Sequence, residues 1–153
     1  MMRCTCALLL LALPACDSTS EPEGLEGRYR AHTVNGMDLP VAVWGNWVNG
    51  SMQVTDAAVR LEANGQGSVE VATRMMAPDS TVGTVKRTTY SGAFQQNGDL
   101  LTFAGLLQSS EGQQRVRAEG VVLSRREVVV TLHVPSSSYQ GYFVYPISII
   151  ARR

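Results

Sequence analysis

Arg115-Val116-Arg117-Ala118-Glu119-Gly120-Val121-Val122-Leu123-Ser124-Arg125-Arg126-Glu127-Val128-Val129-Val130-Thr131-Leu132-His133-Val134 is the stretch that decides the fold. Charged Arg115, Arg117 and Glu119 alternate with Val116, Ala118 and Gly120. Successive side chains of an extended chain point to opposite faces, so this pattern makes one wet face and one dry face. Ser124–Arg126 is polar and short, and a strongly β-branched run follows it. Two strands joined that tightly pair antiparallel.

The same signature repeats outward in both directions. In Leu25–Val34, Glu26, Arg28, Arg30 and His32 share one face, and Leu25, Gly27, Tyr29, Ala31 and Thr33 the other. Asn35-Gly36, Asn64-Gly65-Gln66-Gly67 and Asn97-Gly98-Asp99 are turn signals. Between them lie Val41–Trp47, a short strand or covering loop, and Met52–Ala63, with Val59, Leu61 and Ala63 on the dry face. Val69, Val71, Thr73 and Met75 then alternate with Glu70 and Arg74. Thr81–Gln95 has Tyr90, Gly92 and Phe94 on one face, and Leu100–Leu107 is apolar around Gly105. Pro135-Ser136-Ser137-Ser138 reads as a loop, and Tyr142–Ala151 closes the chain. No long segment carries apolar residues at helical spacing. The expectation is an all-β domain over residues 25–153, an antiparallel up-and-down barrel of about eight strands. A two-sheet β-sandwich is the alternative, because both architectures show the same alternation.

The start of the chain has a different character. Arg3 precedes an unbroken apolar run, Ala7–Leu13, far short of the roughly 20 residues a membrane span needs. A basic start, a short apolar run and small residues together make a secretory signal peptide. Leu13-Pro14-Ala15-Cys16 resembles the lipobox of bacterial lipoproteins. That resemblance implies a diacylglyceryl thioether on Cys16 and cleavage before it, making residues 1–15 the signal peptide. Residues 16–24 are then the lipidated cysteine and a polar tether. Several acyl chains hold a protein to a membrane firmly, since each buried methylene contributes about 0.8 kcal/mol. Asp17 resembles an inner-membrane retention signal of some bacteria, so inner and outer membrane both stay open. Cys4 and Cys6 fall in the discarded peptide, which leaves the folded domain no cysteine and no disulfide.

Composition narrows the partners. Lys+Arg and Asp+Glu balance at 13 each, and Lys86 is the only lysine. Nucleic-acid binders gather basic residues on one face, and this chain does not.

A second resemblance emerges from Gly27-Arg28-Tyr29 followed by Val34-Asn35-Gly36-Met37-Asp38-Leu39-Pro40. This opening resembles small bacterial lipocalin-like lipoproteins, in which a Gly-x-Tyr strand leads into a VNG-x-x-LP connection. Tyr90-Ser91-Gly92-Ala93-Phe94 and Asn97–Phe103 fit the same strand-turn style. In better-known lipocalins a tryptophan stands where Tyr29 stands, beneath a late arginine. The resemblance implies that Arg152 takes that arginine's part.

Candidates for chemistry are few. His32 and His133 are the only histidines, and both fall on wet faces. No metal-ligand spacing, phosphate-cradling loop or nucleophile elbow appears, so neither catalysis, a metal nor a cofactor is expected. Glu70 and Glu119 alternate with arginines and read as cross-strand ion pairs. Trp44-Gly45-Asn46-Trp47 places two aromatics at a barrel mouth, either to stack on a ligand or to plug the end as core. Tyr139 and Tyr142, with Phe143 and Tyr145, form a second cluster with the same two readings. Met52, Met75 and Met76 read as adaptable interior fill. Small inward positions (Gly27, Ala31, Gly92, Gly120) leave room inside. The expected function is a membrane-anchored envelope lipoprotein whose barrel binds a small apolar or amphipathic ligand. The alternative is a non-catalytic interaction module of the envelope, an assembly factor or a hydrolase inhibitor.

Overall fold

The computed structural model describes residues 24–46, 50–110, 115–138 and 141–153. Ten strands run through them in order: β1 (Gly27–Val34), β2 (Met37–Asp38), β3 (Val41–Asn46), β4 (Gly50–Leu61), β5 (Gln66–Met76), β6 (Lys86–Asn97), β7 (Leu100–Ser109), β8 (Arg115–Ser124), β9 (Glu127–Ser138) and β10 (Gly141–Arg152). From β3 to β10 each pairs antiparallel with the next. β10 returns to β1, and β1 pairs with β4 through Gly27↔Leu61 to Arg30↔Ala58. That last ladder closes an eight-stranded barrel, with β2 and β3 appended to β1 and β4. Closure sets the sandwich aside and gives a lipocalin-like up-and-down barrel, which leaves no unpaired edge along the closed wall.

Closure depends on bulges, which bend a strand and reverse its facing. In β4 the register shifts between Val54 and Asp56, and the Thr55 hydroxyl donates to the Ala72 carbonyl at 3.2 Å. Before the bulge β4 pairs with β3; after it, with β1. In β1 the shift falls between Ala31 and Thr33. Val34 therefore turns inward and is fully buried, whereas Thr33 stands opposite outward-facing Ile150. Thr33 was expected on the inner face; a bulge is invisible to strict alternation. The Asn35-Gly36 turn forms as expected, with φ of 52° and 76°. Asn35 also ties the turn to β10: its N–H donates to the Ser148 carbonyl at 2.7 Å and its Oδ1 accepts from the Ser148 N–H at 2.8 Å.

Three further expectations are corrected. β9 runs through Pro135 to Ser138, paired with β10, so that segment is strand and no loop. Among the described residues its ladder to β8 ends at Arg117↔His133, so a proline two residues further on removes no β8–β9 ladder bond. Residues 81–85 carry only an isolated bridge, Met76↔Val82, and β6 begins at Lys86. Ala63 sits in the β4–β5 turn, exposed, instead of on the dry face.

The two ends of the barrel differ. One end holds the chain's entry at Gly24, the short β4–β5, β6–β7 and β8–β9 turns, and Arg153. It is shut: Leu25 is buried, and the Tyr29 hydroxyl donates to the Leu25 carbonyl at 2.7 Å. Arg153 bonds to the same phenol and packs over Gly27, where a Cβ would meet Arg153 Nε at 3.1 Å. Arg152 was expected there. Instead it faces outward and pairs with Glu127, Nε to Oε1 2.9 Å. Strand parity decides this, since adjacent residues cannot both face in. The other end carries the β1–β2 turn, the β3–β4, β7–β8 and β9–β10 connections, and the long segment after β5.

The interior is filled along the barrel: Tyr29, Leu61, Leu101, Leu107, Leu132 and Ile149 are each at most 1% exposed. Fully burying such a side chain contributes about 1.5–3 kcal/mol. The small inward positions leave no vacant space. A Cβ on Gly120 would lie 2.7 Å from the Val129 carbonyl oxygen, and one on Gly92 would lie 2.7 Å from Leu107 Cδ2. Those glycines let the wall and its neighbours approach closely, which corrects the expectation that they make room.

Candidate functional site

The candidate site is the loop-bearing end of the barrel. Inward positions change character along β5: Val69 and Val71 are buried, Thr73 is partly buried and Met75 is 47% exposed. Met75 is thus an inward-phase methionine that meets solvent at the loop-bearing end. Met52 stands directly opposite it on β4, and Trp44 stands opposite Met52 on β3. Trp44 is 38% exposed. Two inward hydroxyl positions also lie near strand ends on this side, in rows of the filled interior: Thr88 pairs with inward Val71, and Ser109, which pairs with inward Tyr90, is 4% exposed. Met52, Met75 and Trp44 thus form an adjoining row of two thioethers and an indole, adaptable apolar side chains of the kind that small-molecule sites use.

Local backbone explains why Trp44 is held here. Gly45 and Gly50 have φ of 99° and 84°, in the left-handed region that favours glycine. A Cβ on Gly45 would strike the Gly50 carbonyl, and one on Gly50 would strike that of Met76. Only glycine lets β3, β4 and β5 come so close at this edge.

Of the four aromatic candidates, the structure places Trp44 at the opening. Trp47 and Tyr139 lie outside the described residues. Tyr142 enters through its backbone alone, paired with Ser137 in β10 at the same end of the barrel. Cys16, with Leu13, Pro14 and Ala15, also lies outside the described residues. Thr88 and Ser109 escaped the sequence reading, although their phase and nearness to strand ends were a usable signal; Thr73 was read only as one of the inward row of β5.

The ion-paired groups lie on the outer wall. Glu70 accepts from Arg87 at 2.9 Å and forms an ion pair with Arg28 at 3.8 Å, and Arg87 also reaches Asp56 at 3.6 Å. Arg28, Glu70 and Arg60 flank a shallow outer recess of about 550 Å³. His133 Nε2 lies 3.1 Å from Glu119 Oε1, with Arg117 at 3.7 Å from Glu119, all on the outside. His32 is exposed on β1. Among the described residues no three His, Cys, Asp or Glu side chains converge as metal ligands would. Two groups have shifted ionisation. Burial pushes the Tyr29 phenol above its ordinary value, and the Arg153 guanidinium bonded to it opposes that without cancelling it. Hydrogen bonds from Thr81, its hydroxyl first and then its N–H, hold Asp79 below the usual carboxylate range.

The chain is therefore a closed β-barrel of lipocalin-like architecture, shut at one end and presenting Trp44, Met52 and Met75 at the other. No family model matches it, and no curated protein or solved structure matches it either.

Proposed function

We propose that this protein is a lipid-anchored lipoprotein of a bacterial envelope, whose barrel takes a small apolar or amphipathic ligand at its loop-bearing opening. The observation that carries the binding half is Met75. It belongs to the inward row of β5, yet it is 47% exposed, whereas Val69 and Val71 in the same row are at most 2% exposed. The filled interior beyond that row confines a ligand to the opening, against Met52, Met75 and Trp44. The Leu13-Pro14-Ala15-Cys16 lipobox supports the anchor half. The chain enters the barrel at the shut end, so a tether there leaves the opening unobstructed.

Each half has its own experiment. For binding, the secreted Cys16→Ser chain is titrated with an aminonaphthalene probe, and energy transfer from its tryptophans is recorded. Saturable binding that Met75→Glu weakens by about tenfold or more supports the site, since a charge there must be desolvated on contact with an apolar ligand. Non-saturable binding, or saturable binding indifferent to Met75→Glu, refutes it. For the anchor, wild-type and Cys16→Ser chains are compared in membrane and soluble fractions. Cys16→Ser protein that stays with membranes after a high-salt wash refutes lipidation as the attachment.

A further inference from the structure

We propose that the outer wall of β7–β10 beside the tether is a docking face for an anionic lipid bilayer, so that the barrel lies on its side on the membrane. Four consecutive strands place an apolar residue outward in one cross-strand row. Leu100 pairs with Val121, Val121 with Val129, and Val129 with Ile150. Leu123 extends the patch along β8. Leu100, Val121 and Leu123 are 52%, 42% and 56% exposed, and Val129 and Ile150 are half-buried. With strands about 4.8 Å apart, the row extends about 14 Å around the wall.

Elsewhere the outer wall is mostly polar, with Leu106 on β7 a single exposed apolar residue beside Arg117. The next row of the same strands is Thr102, Glu119, Thr131 and Ser148, and the opposite wall carries the Arg28–Glu70–Arg87 network. Exposed apolar residues scattered singly need no explanation, but a contiguous patch with a polar border marks an interaction surface.

The rim and the position select the occupant. Arg125 and Arg126 form the β8–β9 turn at one border; Arg152 and its β1 partner Arg30 form the other. Arg152 pairs with Glu127, and the β6–β7 turn adds Asp99. Arginines outnumber acids, which suits a surface of anionic headgroups, each nearby arginine favouring it about fivefold. Two copies meeting through this face would oppose like charge. The face also adjoins the shut end, where the chain enters at Gly24. Residues 17–24 span at most about 29 Å even when fully extended. A lipid on Cys16 therefore holds this wall within reach of the headgroups. That step rests on the anchor reading above. The barrel's opening then faces along the bilayer, placed to exchange an amphipathic ligand with it.

The test supplies the tether chemically, so its outcome does not depend on whether the cell acylates Cys16. The secreted chain from Cys16 onward has a single thiol, which is coupled to a maleimide-headgroup lipid in vesicles. Hydroxyl-radical footprinting then reads side-chain oxidation. On phosphatidylglycerol-rich vesicles, oxidation of Leu100, Val121 and Leu123 is expected to fall by about threefold or more relative to uncoupled protein, while Val82 and Val85 are unchanged. Pure phosphatidylcholine, or the double variant Arg125→Glu/Arg126→Glu, is expected to restore it. Equal oxidation on and off the vesicles overturns the proposal. So does protection that appears without lipid as protein concentration rises, because the face then belongs to a second copy. Mass analysis of Cys16 from cells tests the anchor reading separately.

Discussion

The packing around Gly120 and Gly92 supports a paired prediction that tests whether the interior is filled. Gly120 is buried in β8, between Leu101 of β7 and Val130 of β9. In Gly120→Ala the new Cβ lies 2.7 Å from the Val129 carbonyl oxygen and 3.3 Å from Leu101 Cβ and Val130 Cγ2. The nearest atom is backbone in a paired strand, so relief requires moving the ladder. Overpacking of this kind costs about 1–3 kcal/mol. Its φ lies outside the left-handed region, so alanine also restricts the unfolded chain and returns about 0.4–1 kcal/mol. The net expectation is a loss of about 1–2 kcal/mol. In Gly92→Ala the contact is Leu107 Cδ2, also at 2.7 Å, but that methyl ends a side chain with rotamer freedom. The two terms then nearly cancel, within about 0.5 kcal/mol of wild type. Urea denaturation followed by tryptophan fluorescence reads both. With a slope of about 2 kcal/mol/M, Gly120→Ala lowers the midpoint by about 0.5–1 M and leaves the slope unchanged. A Gly120→Ala midpoint at or above wild type would show space beside Gly120. The confinement of ligand to the opening would then be wrong.

Three other outcomes follow from the same contacts. Tyr29→Phe loses the bond to the Leu25 carbonyl and costs about 1–2 kcal/mol near neutral pH. It also changes alkaline behaviour. The phenol's pKa is raised on folding from 10.0, so between the unfolded and folded values the native state holds more protons, and stability falls as pH rises above 10.0. Melting temperatures recorded upward from pH 9 should decline more steeply for wild type than for Tyr29→Phe; parallel curves contradict the assignment. Leu132→Ala opens a cavity at a fully buried position and should cost about 2–5 kcal/mol in the same urea assay, a cost under about 1 kcal/mol counting against a packed core. Arg87→Ala removes exposed ion pairs to Glu70 and Asp56 and should cost under about 1 kcal/mol; a larger loss would mean that the network holds the wall together.

Sequence by itself determined the all-β class, the strand-turn rhythm and the facing of most strands. The alternation of Arg115, Arg117 and Glu119 with Val116, Ala118 and Gly120 appears in the structure residue for residue, because strand parity is a local property. Asn35-Gly36 was legible for the same reason: only certain residues accept positive φ at both turn positions. What tertiary structure alone decided depends on partners distant in the chain. Closure depends on β1 meeting β4, a contact that also separates barrel from sandwich. Bulges at Thr55 and after Ala31 shift parity by one, which sends Val34 inward and Thr33 outward. Parity at the chain's end gave Tyr29 the company of Arg153 in place of Arg152. The small inward residues tell the same story at the site. A glycine in the sequence records only the absence of a side chain. Whether that absence is a cavity or a close approach depends on what stands opposite, and at Gly92 and Gly120 it is filled. Met75 is the converse: its sequence suggests interior fill, and its height along the barrel wall leaves it at an open end.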